Sequence, residues 1–105
     1  WEAMREHPAI GSEIVSTVPG LEHLAPAILA EHERWDGGGY PRGLRGEEIP
    51  VASRIAFVCD AFHAMTSDRP YRRAMPVGDA LAEIEREAGG QFCPRAAAAL
   101  LAVAA

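Results

Sequence analysis

Asp60 stands in the run Phe57-Val58-Cys59-Asp60-Ala61-Phe62, where nothing apolar accounts for a carboxylate. If that helix is buried, an unpaired charge there costs several kcal/mol, so Asp60 must meet a cation, a set of donors or a metal. Arg54 is the cation on the same helix, and at 100° per residue it points roughly 120° away. His32 lies in Glu31-His32-Glu33, just before a glycine run. Three adjacent side chains cannot share one helix face, so His32 and at most one glutamate could converge on a metal. The alternative is a solvated helix end, with imidazole charge favoured beside the negative pole of the dipole. The zinc spacing His-Glu-x-x-His is absent.

His7 precedes Pro8 at an expected helix start, where a polar cap is the plainer role, and His23 reads as a surface residue. His63 follows Asp60 by three residues, about 60° round the helix, and either flanks the same site or is a hydrogen-bonded core histidine. Arg69, Arg72 and Arg73 crowd one short stretch and could grip a phosphate through bidentate guanidinium contacts, or form the basic rim of a solvated turn. Gly37-Gly38-Gly39 is no Walker-type phosphate loop, because no Lys-Ser/Thr pair follows and no strand precedes.

These residues need helices to position them. His7-Pro8 with Ile10, Ile14 and Val15 predicts a short amphipathic helix with Pro8 in its first turn, stopped by Pro19-Gly20. Leu24, Ile28 and Leu29 predict a second helix that runs to about Arg34. Between Asp36 and Pro50 the apolar period vanishes among five glycines and Pro41, giving a long loop of the kind that is usually functional or disordered. Trp35 and Tyr40 favour function, being costly to leave in water. Val51 to Met65 is apolar nearly all round, which suits the centre of a bundle. Val77, Ala80, Leu81, Ile84 and Ala88 recur at helical spacing before Gly89-Gly90, and Pro94 opens a last, Ala-rich helix. No alternating pattern predicts a strand, so the fold expected is all-α, a bundle of about five helices.

Composition sets limits. The chain is 49% hydrophobic and 24% charged, ordinary for a folded domain. Its net charge of −5, with every basic side chain an arginine, argues against binding duplex nucleic acid. No stretch of about 20 residues is apolar enough to span a membrane. Cys59 and Cys93 form no Cys-x-x-Cys pair and no leader-like start is present, so reduced thiols and a cytoplasmic location are expected. The first residue is Trp1 rather than Met, which suggests a piece of something longer.

Taken in order, His7-Pro8-x-x-Gly11, His32-Glu33-Arg34-Trp35-Asp36-Gly37-x-Gly39-Tyr40-Pro41, Ile49-Pro50, Arg54-Ile55, Asp60 and Asp68-Arg69-Pro70-Tyr71-Arg72 resemble the HD-GYP family from about Trp1 to Pro94. The resemblance implies a helical metal-dependent phosphodiesterase of cyclic di-GMP turnover and signalling, holding two or three iron or manganese ions. It puts His7, His32 and Asp60 at metal-ligand positions, Gly39 and Tyr40 in the loop that names the family, and Arg69 and Arg72 where cyclic di-GMP phosphates are held. The metals would activate a bridging hydroxide for in-line attack on phosphorus.

Two departures from the family pattern matter. Glu31 replaces the first of two adjacent histidines, and its oxygens can still ligate iron or manganese. The His-Asp pair and following lysine that normally lie upstream are absent, so residues 1–105 are expected to be an N-terminally truncated domain. His7, His32, Asp60 and Glu31 cannot alone saturate two octahedral ions, which implies weak or no turnover by the isolated chain. The partners implied are cyclic di-GMP or its linear dinucleotide, and an upstream HD segment or regulatory domain. The competing reading is a non-catalytic helical module that contacts partner proteins through the Gly-Tyr-Pro loop.

Overall fold

The computed structural model describes residues 2–104, with side chains from Pro8 to Ala104. Among the described residues five α-helices follow one another: α1 Glu2–Ser16, α2 Ala25–Leu29, α3 Val51–Met65, α4 Val77–Arg86 and α5 Pro94–Ala104. Among the described residues there is no named strand, only the isolated bridges Arg69–Arg72 and Ala88–Phe92. The all-α expectation holds.

Two helix boundaries differ from those expected. α1 begins at Glu2 and carries Pro8 in its interior rather than its first turn. A proline there has no N–H to give the preceding turn, so packing must hold the helix together: Pro8 is buried and α1 lies along α2. Gly11 faces α2 so closely that a Cβ would stand 2.9 Å from Ile28 Cγ2. α2 stops at Leu29 instead of continuing to Arg34. The chain turns there, with Glu31 and Glu33 N–H donating to the Ile28 and Ala30 carbonyls, and His32 sits in that turn rather than on a helix.

α3 has the boundaries expected of it. Pro50 precedes it, and its carbonyl accepts the Ser53 and Arg54 N–H groups. The buried Ser53 Oγ donates to Ala27 O at 2.6 Å and ties α3 to α2. At the other end Thr66 Oγ1 donates back to Phe62 O. α4 presents Ala80 and Ile84 to the interior, both fully buried. Gly89, at φ +87°, then reverses the chain toward α5.

The core lies between α3, α4 and α5. Val58, Ile84, Phe92, Cys93, Ala96 and Ala97 are buried together, with Trp35, Phe57, Ala61, Phe62, Met65 and Leu100 packed around them. Each fully buried aliphatic or aromatic side chain there contributes about 1.5–3 kcal/mol. α3 is not enclosed on every side, contrary to expectation. Val51 and Ile55 are 56% and 49% exposed, and Cys59, Asp60 and His63 lie on exposed surface as well.

Candidate functional site: the cleft beside the glycine loop

The glycine loop folds back on the segment that carries His32. Glu33, only 2% exposed, turns inward, and its Oε2 and Oε1 accept the N–H groups of Arg42 at 2.8 Å and Leu44 at 2.9 Å. Neighbouring Arg34 points elsewhere and makes a two-pronged contact with Asp36, Nε to Oδ1 at 3.1 Å and Nη2 to Oδ2 at 2.7 Å. Asp36 Oδ1 also accepts the Gly38 N–H. The Arg34 hydrogen bond first, then that of Gly38, holds the Asp36 carboxyl below the ordinary carboxylate range. Trp35 N–H donates to Gln91 O and Gly46 N–H to Trp35 O, which fastens the loop to the approach to α5.

Gly39 is where the loop meets the chain beneath it. A Cβ at that position would lie 2.4 Å from both Arg34 N and His32 O, so no other residue fits without moving backbone. Tyr40 follows, its N–H donating to His32 O at 3.3 Å and its ring stacked on the His32 imidazole, centroids 5.2 Å apart and planes 11° from parallel. His32, Arg34, Gly38, Gly39, Tyr40, Phe57 and Gln91 line a cleft of about 380 Å³.

Of the residues singled out in the sequence, His32, Gly39 and Tyr40 meet in this cleft, and Glu31 Oε1 lies 3.8 Å from His32 Nε2. Glu31 also borders the seam between α2 and α3 with Ala52, Ser53 and Ala56. Asp60 stands exposed on α3, so the burial argument for it fails: Phe57, Val58, Ala61 and Phe62 pack in the core while Asp60, like Cys59, lies on exposed surface. Arg54 is not its partner, since the guanidinium donates to Ile49 O, reaches Cys93 Sγ at 3.8 Å and lies 5.6 Å from the Trp35 ring centroid. His63 is exposed rather than a core histidine, and the side chain of His7 lies outside the described residues.

Arg69 and Arg72 are exposed in a tight turn closed by their own backbones, with Arg72 Nη2 donating to Ala64 O. Among the described residues no three His, Cys, Asp or Glu side chains gather as a metal site would require, and of the expected ligands Glu31 and His32 lie side by side. Sequence reading missed Glu33 as the loop's buried anchor. Its alternation with Glu31 around His32 was the available signal, because neighbours in a turn must diverge.

Similarity to known proteins identifies the family of this fold. The chain is 44% identical over 103 residues to a cyclic di-GMP phosphodiesterase of Thermotoga maritima, covering 96% of this chain and 28% of that protein. It is 44% identical over 100 residues to a cyclic di-GMP phosphodiesterase response regulator of Xanthomonas campestris, covering 93% and 26%. Identity to 3'3'-cGAMP-specific phosphodiesterase 3 of Vibrio cholerae is 40% over 100 residues, covering 95% and 22%. The chain thus spans about a quarter of the length of these curated relatives. A crystal structure of a cyclic GMP-AMP specific phosphodiesterase from V. cholerae superposes with a TM-score of 0.82 at 25% identity, over 98% of this chain and 23% of that one. The HD-domain family model matches residues 2–95, and with the Gly-Tyr-Pro loop folded as described the chain belongs to the HD-domain family, in its HD-GYP form.

Proposed function

We propose that the chain is the C-terminal part of a metal-dependent phosphodiesterase domain that acts on cyclic dinucleotides of the cyclic di-GMP class. The observation that carries this reading is the cleft in which His32 stacks on Tyr40 beside the Gly39 backbone, with Glu31 at hand. The similar proteins named for cyclic di-GMP and 3'3'-cGAMP hydrolysis support the substrate class. His7, His32, Asp60 and Glu31 are the proposed metal-facing residues, with further ligands from an upstream HD segment of the parent protein. Iron or manganese, two or three ions in the complete domain, would supply an activated hydroxide when bound. Arg69 and Arg72 are both exposed and are the proposed charge-assisted donors to substrate phosphates, Arg72 by exchanging its contacts with the Ala64 and Arg73 carbonyls for a phosphate.

The test compares the 105-residue chain with a version extended upstream, each assayed on cyclic di-GMP with manganese or ferrous iron. The extended protein is expected to hydrolyse the substrate and to lose both metal and turnover on Asp60→Ala, while the shorter chain shows little activity. An extended protein that is folded, binds neither metal and is inert would favour a non-catalytic module acting through the Gly-Tyr-Pro loop.

A further inference from the structure

We infer that Glu33 is a positioning residue that sets the orientation of the His32 imidazole through the glycine loop. The catalytic consequence rests on the phosphodiesterase reading; the structural one does not. Glu33 is one of two buried polar side chains among the described residues, the other being Ser53. A carboxylate is costly to bury, and here the two N–H groups that compensate it belong to Arg42 and Leu44, on the returning limb of the loop. The outgoing limb is fixed separately by Asp36 on Arg34 and Gly38. With both limbs tied, Gly39 is pressed onto the backbone of residues 32–34, and Tyr40 has one place to go: over the His32 ring.

The chain of contact runs from Glu33 to the Arg42 and Leu44 amides, back along Pro41 to Tyr40, and from the Tyr40 ring to His32. Glu33 is buried while His32 lines the cleft, and the loop is the path that joins the Glu33 carboxylate to the imidazole. Glutamine at this position keeps the shape and loses the fit. One amide oxygen can accept one of the two N–H groups, and the amide NH2 then confronts the other donor.

Two measurements on the 105-residue chain decide the matter. In the wild type, hydrogen exchange at the Arg42 and Leu44 amides should be slowed at least tenfold relative to Gly43, whose N–H is not held by Glu33. In NMR spectra the His32 ring protons should carry an upfield ring-current shift from Tyr40, with Tyr40→Leu giving the unshifted reference. Glu33→Gln is expected to move His32 most of the way to that reference with far-ultraviolet dichroism unchanged. Unprotected Arg42 and Leu44 amides, or a His32 shift that stays at its wild-type value in Glu33→Gln, would overturn the inference. If the Gln variant does not fold, the wild-type exchange rates still decide. In the upstream-extended protein Glu33→Gln should lower kcat by roughly a hundredfold with KM little changed, the size of effect a small misplacement produces. Failure of that protein to turn over at all would count against the phosphodiesterase reading and leave the ring-current result standing.

Discussion

A single missing carbon atom shapes the cleft at Gly39. Because the groups that a Cβ would strike are His32 O and Arg34 N, both backbone and both 2.4 Å away, no rotamer change relieves the clash. Gly39→Ala is therefore expected to lift the loop off residues 32–34, with a stability loss of about 1–3 kcal/mol measured by urea unfolding and loss of the Tyr40–His32 stack. Asp36 makes a second residue-scale prediction. Its folded-state carboxyl is held below its ordinary value by Arg34 and Gly38, so its stabilising contribution is present at neutral pH and disappears as pH falls through the depressed folded value. Both partners are more than a third exposed, at 39% and 36%, so salt should weaken the pair. Asp36→Asn should flatten the acid limb of a stability-versus-pH curve, and an unchanged limb would show that the pair contributes nothing. The identities of Gly39 and Tyr40 were legible in the sequence as a motif, but the reason for them was not, since a close approach between backbones leaves no mark on composition.

At the scale of elements, apolar periodicity located α4, which buries Ala80 and Ile84 on one stripe, while a nearly continuous apolar run located α3 and Pro94 with an Ala-rich run located α5. It failed at α2, where Leu24, Ile28 and Leu29 line up but the helix has only five residues before the chain turns. Glu31, His32 and Glu33 interrupt the stripe one turn beyond Ile28 and Leu29, and Glu33 reaches for the loop instead. It failed in a different way at Asp60. A run of apolar residues was read as burial on all sides, yet Val58 is 1% exposed while Ile55 is 49% exposed, so the helix is two-faced despite its composition. The junction most sensitive to change is Phe92, 1% exposed, with its ring tilted against Phe57 at 5.7 Å and its neighbours drawn from α3, α4 and α5. Phe92→Ala removes the side chain on which all three helices converge and is expected to cost about 3–5 kcal/mol. Thermal unfolding would show this as a large fall in Tm, and a change of only a few degrees would mean that the core closes over the gap.

For the whole molecule, the uncovered face of α3 is the feature that connects fold to proposed function. Val51, Ile55 and Cys59 recur every four residues and share one face, with Asp60 and His63 at its edge. An apolar stripe beside a proposed metal ligand is what an upstream HD segment would need to cover if it is to bring its own ligands to Asp60. The two cysteines report on this without any substitution. Cys59 is exposed, and Cys93 is 4% exposed beneath the start of α5. Burial alone would push the Cys93 thiol up, but hydrogen bonds from the Ala96 backbone and from Arg54 outweigh it and bring the thiol below its ordinary value. Access rather than acidity therefore limits Cys93. In the 105-residue chain, maleimide labelling should proceed in two phases, fast at Cys59 and at the rate of opening at Cys93. In a protein extended upstream, Cys59 labelling is expected to slow by at least about tenfold, the equivalent of about 1.4 kcal/mol of protection, while the Cys93 phase is not accelerated. Equal Cys59 rates in the two proteins would mean that the upstream segment leaves this face open and that Asp60 draws no ligand partners from it.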